Sequence, residues 1–301
     1  MRLAALASVA VGGSLFLAKG AVWLLTGSSA MLSSAADSAL DLMASLVTLM
    51  AVRAALRPPD DEHRYGHGKA EALAALVQGT VMLGSASFLV LHAMERIVTP
   101  APVERPLAAY AVSVLAIVLS LALVIFQKHV VKRTGSLAIA ADRMHYLGDF
   151  LLNSGAMLGV FLATTGGFPA ADGLFGAAIA IVIAFSALGI MREAVDMLMD
   201  REMGAEIREK IVEIAMGNPH VRGIHDIRTR RSGLGSFVEF HLEVDPWLTL
   251  RAASLVAREV EAAVGEALPN AGIAITLDPL GFERPGRTMD EIARPSGRRD
   301  G

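Results

Sequence analysis

Apolar residues fall along this chain in six long runs broken by short polar islands, and only the last third returns to the mixed spacing of a soluble fold. The runs extend from Leu3 to Leu25, Ala30 to Leu56, Ala70 to Ala93, Leu107 to Phe126, Leu137 to Ala163 and Ala170 to Met191. A helix needs about 20 residues to cross about 30 Å of hydrocarbon, and each run is long enough. Gly, Ala and Ser recur in all of them, as expected where helices pack closely in lipid. From Asp200 the pattern becomes helix (Ala205 to Met216), two strands (Asp226 to Arg231 and Ser236 to Val244), helix (Thr249 to Glu266) and strand (Gly272 to Leu277). The pattern predicts an α-helical membrane protein with six transmembrane helices over residues 1–199 and a small C-terminal α/β domain of order αββαβ over 200–282. The Pro-, Gly- and Arg-rich tail over 283–301 is expected to be disordered.

Composition agrees: 53% of the 301 residues are hydrophobic and 19% charged, against about 45–50% and 25% in a soluble domain. The net charge of -3 and the small size of the basic patches exclude a nucleic-acid surface. There is no cysteine, which removes disulfides and thiolate sites and leaves His, Asp and Glu as the strong metal ligands. Met1-Arg2 followed by an apolar stretch also fits a cleaved signal peptide. Against that, Lys19 interrupts the stretch, and the run continues through Trp23 to a turn at Gly27 and Ser28 that leads directly into the next one. A retained helix is expected. Arg53, Arg57, Arg64 and Lys69 lie in or beside the second-to-third connection, and Lys128, Lys132 and Arg133 beside the fourth-to-fifth; the opposite side has Arg96 and Arg105. The positive-inside bias then puts both connections and both termini in the cytoplasm.

Ionisable groups inside the apolar runs carry the chemistry. In "SAADSALDLMAS", Asp37 and Asp41 stand four residues apart, so both carboxylates face one side of a helix, one turn apart. "ADRMHYLGDFLLNSG" repeats the spacing with His145 and Asp149. Charges near a bilayer centre cost several kcal/mol, about 3 on insertion scales, and persist where a partner or an aqueous cavity compensates them. Brought together, the two faces supply three carboxylates and one imidazole, a four-coordinate shell for zinc. Ferrous iron, manganese or cadmium would suit the same donors. The polar island "DEHRYGHGKAEAL" adds His63 and His67, which are either metal ligands or surface residues beside a helix start. "SGLGS", Ser232 to Ser236, sits in a hairpin turn and is no phosphate loop.

These motifs and the six-helix-plus-tail layout resemble the cation diffusion facilitator family, particularly its bacterial zinc and ferrous-iron efflux members. The resemblance implies a homodimeric, multi-pass inner-membrane antiporter that exports a divalent metal against protons. Asp37, Asp41, His145 and Asp149 would form its transport site. It further implies a shallower cytoplasmic loop site at Asp60, His63 and His67, and a central pairing of Lys69 with Asp200 that couples the tail domain to the helices. The tail domain, ferredoxin- or metallochaperone-like, would dimerise the protein. His225, His241 and Asp278 fall on metal-binding positions there, but Ser254 and Thr276 replace two histidines, so the implied binuclear site is weakened or absent.

Metal ligation needs neutral imidazole and ionised carboxylates, so cations and protons compete for the same side chains. His145 is the ligand expected to exchange the proton. Two rival classes remain. One is a passive cation channel or sensor. The other is an intramembrane metalloenzyme, disfavoured because all four ligand positions are filled and neither H-E-x-x-H nor G-x-S-x-G occurs. No organic cofactor is expected.

Overall fold

The structure is a computed structural model, and it describes residues 1–98, 107–165 and 171–281. The expected disordered tail and Arg105 lie outside the described residues. The chain divides after Leu198 into two compact units.

Among the described residues the first unit is a bundle of six helices: α1 (Arg2–Thr26), α2 (Ser29–Ala55), α3 (Ala70–Val98), α4 (Leu107–Thr134), α5 (Leu137–Thr165) and α6 (Ala171–Leu198). Among the described residues, five of them, all but α5, are long and apolar enough to cross a membrane. At 29 residues α5 has the length, but Asp142, Arg143, His145, Asp149 and Asn153 dilute its apolar character. Position explains this tolerance: α5 packs against each of the other five helices, so its polar groups meet protein rather than lipid. The main pairings around it are α1 with α2 and α3 with α6. Helix α1 comes close to α2 at Gly12, where a Cβ would meet the Leu42 Cα at 3.3 Å and the Tyr146 hydroxyl at 3.0 Å. A side chain there would press on both neighbours, so glycine suits the close approach.

The helices outlast their apolar runs. Helix α4 continues to Thr134 through Gln127, Lys128, Lys132 and Arg133, eight residues past Phe126, because length in a bundle is set by packing as well as by bilayer thickness. The turn from α4 to α5 uses Gly135 at a φ of 65°, with its N–H bonded to the Val131 carbonyl at 2.8 Å. The start of α5 is then capped from another helix: the Leu137 N–H donates to Glu71 Oε2 of α3 at 3.0 Å.

The second unit contains α7 (Ala205–Met216), β1 (Val221–Ser232), β2 (Gly235–Val244), α8 (Leu250–Ala267) and β3 (Ala271–Pro279). The sheet order is β1-β2-β3. Strand β1 pairs antiparallel with β2, whereas β3 returns over α8 to run parallel to β2. The hairpin expected at "SGLGS" forms with Ser232 opposite Gly235, and Gly233 takes the positive φ of 61°. Strand β1 starts five residues before the expected Asp226. Its ladder is interrupted between His225 and Arg228, where Asp226 stands at a φ of 50°, and this bulge hides the alternation that would have revealed the earlier half. Val238, Phe240, Leu242 and Val244 of β2 pack on Ile211 and Ala215 of α7 and on Ala253, Val256, Val260 and Val264 of α8. His241 and Glu243 alternate with that buried row and so occupy the opposite face.

Candidate metal sites

Helices α2 and α5 bring together three of the four expected transport ligands. His145 Nε2 lies 3.0 Å from Asp41 Oδ1 and 3.5 Å from Asp149 Oδ2, so both carboxylates converge on one ring nitrogen. Donor atoms of Asp41, His145 and Asp149 all lie within 4.8 Å of one another. A tetrahedral ion with bonds of about 2.1 Å would hold its ligands about 3.4 Å apart, close to these separations. Asp37, one turn before Asp41, lies outside that cluster but faces the same cavity of about 840 Å³ with Lys19, Asp41, His145, Asp149 and Asn153 in its wall. His145 is 9% exposed. Lys19, noted in the sequence only as an interruption, donates from Nζ to Ser38 Oγ at 2.7 Å.

Sequence reasoning missed a second polar layer. Asp142 is fully buried among α1, α2 and α4, accepting from Ser8 Oγ at 2.5 Å, from Gln127 Nε2 at 2.6 Å and from Ser45 Oγ at 3.5 Å. Tyr146 donates to the Ser8 carbonyl at 2.9 Å, and its hydroxyl lies 3.0 Å from Ser45 Oγ. Ser45 stands one turn from Asp41 and Tyr146 beside His145, so the two helices are tied at adjacent levels, first through Ser45–Tyr146 and then through Asp41–His145. The signal was present in the sequence, because Asp142 and Tyr146 repeat the four-residue spacing of His145 and Asp149. Ser8, Ser45 and Gln127 are common residue types that only the fold singles out.

The loop residues also converge. Asp60 Oδ1 lies 3.4 Å from His63 Nδ1 and Asp60 Oδ2 lies 3.4 Å from His67 Nε2, so each carboxylate oxygen faces its own imidazole. The ring centroids of His63 and His67 are 4.5 Å apart. Asp60 accepts the backbone N–H groups of Glu62 at 3.1 Å and His63 at 2.7 Å, which fixes the turn. The His63 N–H is the main reason the Asp60 carboxyl titrates below the usual aspartate range, with the imidazoles adding to it. Unlike the membrane cluster, this one is open, with His63 and Asp60 each more than half exposed.

In the tail unit His225 and His241 are direct cross-strand partners, with ring centroids 5.3 Å apart. Asp278 Oδ2 from β3 lies 3.0 Å from His241 Nδ1 and 3.3 Å from His225 Nε2. Glu243, which sequence reasoning did not single out, adds a carboxylate 3.3 Å from His225 Nδ1. Thr276 is the register partner of His241 on β3, and Ser254 stands on α8; neither brings an imidazole. Lys69 donates to the Leu198 carbonyl at 3.2 Å within the bundle, and within the tail unit Asp200 accepts from Arg230 at 3.2 Å.

Comparison with known proteins places the whole chain beside known families. A family model described as the cation efflux transmembrane domain matches residues 5–199, and one described as the cation efflux protein cytoplasmic domain matches residues 203–280. The cation-efflux pump FieF of Cronobacter sakazakii is 42% identical over 276 residues, covering 92% of each chain. FieF of Serratia proteamaculans is 41% identical over 287 residues, covering 95% of each. FieF of Shewanella oneidensis is 41% identical over 283 residues, 94% of this chain and 95% of that one. A solved MamM CTD chain is 28% identical, covering 25% of this chain and 94% of its own at a TM-score of 0.24.

Proposed function

The chain belongs to the cation efflux, or cation diffusion facilitator, family, and on that premise we propose that it exports a divalent cation in exchange for protons. Family membership makes it a transporter rather than an enzyme. The observation that carries the exchange mechanism is the convergence of Asp41 and Asp149 on His145 Nε2. A proton on that nitrogen and a cation bound to it would occupy the same point between the same two carboxylates. One must leave before the other arrives, so competition couples the two without a separate proton path. Asp37, in the same cavity, would complete the shell when the ion is present.

Two carboxylates and an imidazole at tetrahedral separations suit zinc best, with ferrous iron, manganese and cadmium as alternatives. The relatives' name, cation-efflux pump, supports the direction of transport. The working form would be a homodimer joined through the tail unit, in a bacterial inner membrane, with both termini cytoplasmic. The loop cluster would bind metal at the cytoplasmic surface. The tail cluster, with Glu243 beside His225, His241 and Asp278, would bind one ion weakly.

Zinc uptake into inside-out vesicles, measured with and without an imposed pH gradient, tests this reading. An antiporter accumulates metal only with the gradient. Uptake that ignored the gradient would point to a passive channel and overturn the proposal.

A further inference from the structure

A lysine amid an apolar helix calls for a reason. Lys19 is flanked by Leu15, Phe16, Leu17, Ala18 and Gly20 in α1, where placing an ammonium in lipid is costly. Its Nζ does not reach for the surface. It is held at 2.7 Å by Ser38 Oγ, the hydroxyl next to Asp37 on α2, and Ser38 is itself buried. Lys19 also lines the cavity shared by Asp37, Asp41, His145 and Asp149, and lies within electrostatic reach of Asp37 and Asp149. The cation is thus parked beside the transport ligands without being one of them.

We propose, resting on the transport reading above, that Lys19 is a tethered counter-cation that weakens the carboxylates' hold on the divalent ion enough for the ion to leave. Three carboxylates and one divalent ion leave a single negative charge in the cavity, and Lys19 cancels it. The same fixed charge repels a bound divalent cation, and in a site of reduced dielectric that repulsion is far stronger than in water. A transport site must bind firmly enough to load and loosely enough to release. Lys19 therefore acts as a positioning charge on the release side of that balance, and Ser38 fixes its distance.

The test is zinc titration and zinc transport with the full-length protein, in a background carrying His63→Ala, His67→Ala, His225→Ala and His241→Ala so that the heat reports the membrane cluster. Lys19→Met, which keeps the stem and removes the charge, is expected to bind zinc about tenfold more tightly while transporting it more slowly in proteoliposomes. Lys19→Arg, keeping the charge, should behave like the parent. Ser38→Ala, which frees Lys19 from its tether but keeps the charge in the cavity, should tighten zinc binding by less than Lys19→Met does. A purely structural lysine would instead lose affinity and transport together in Lys19→Met. Unchanged or weaker binding in Lys19→Met, or tightening in Ser38→Ala equal to that in Lys19→Met, would overturn the inference. The transport reading beneath it fails separately, if Asp41→Ala in the same background binds zinc as well as its parent.

Discussion

The cluster inside the bundle and the cluster on the α2–α3 loop use the same chemistry, imidazole against carboxylate at 3.0 to 3.5 Å, yet they are built to different ends. In the loop, one aspartate faces two histidines from a turn held by its own backbone hydrogen bonds, and water reaches most of the site. In the bundle, two carboxylates face one imidazole on rigid helices, with a buried polar layer fixing the register one turn away. Ligand identity alone does not separate them. Burial and scaffold stiffness do, because electrostatic interactions strengthen as water is excluded and supporting hydrogen bonds tune a site by about 10–100-fold.

The strongest way to break the contrast is at His145. His145→Ala should abolish zinc binding at the membrane cluster and all proton-linked transport, a loss above about a hundredfold, since even second-layer partners are worth about 10–100-fold. Residual transport near wild type would mean that the cluster is not the path. Tyr146→Phe sharpens the comparison, because it keeps the ring and removes the bonds to Ser45 and the Ser8 carbonyl. Zinc affinity at the membrane cluster should fall about tenfold, stability should fall by about 1 kcal/mol, and loop binding should not change. Titration against a variant lacking the loop histidines separates the two sites.

At the loop, His67→Ala should remove metal binding there yet leave transport within about threefold of wild type, since an exposed site contributes less. Transport collapsing with the loop site would show that the two clusters are coupled. The smallest effect is that of pH on the Asp60 turn. Its carboxyl titrates below the usual aspartate range, so the contribution of its charge is fully present above about pH 4 and is lost only as pH falls through the lower folded value. Amide exchange at His63 should stay protected from pH 7 down to about pH 5; loss of protection within that interval would contradict the assignment.

Much of this was legible in the chain, for physical reasons. The apolar runs marked all six helices because lipid tolerates few other patterns, and the four-residue spacings of Asp37 with Asp41 and His145 with Asp149 survive as helical faces lining one cavity. Motif spacing could not show that Asp37 stands apart from the other three, since the distance depends on how α2 and α5 cross. The Asp142 layer was hidden for the same reason: Ser8, Ser45 and Gln127 come from three helices and acquire meaning only where those helices meet. Glu243 was passed over because a glutamate alternating along a strand reads as a solvated face until its cross-strand neighbour proves to be His225. Helix ends were the least legible feature, with α4 and α6 running past their apolar stretches into charged turns.

The central claim is that one divalent cation sits between α2 and α5. The most direct test is anomalous diffraction from crystals of the full-length protein soaked in zinc. The account predicts a peak within about 2.2 Å of His145 Nε2 and of carboxylate oxygens of Asp41 and Asp149. Peaks at the loop or tail histidines with none between α2 and α5 would contradict it.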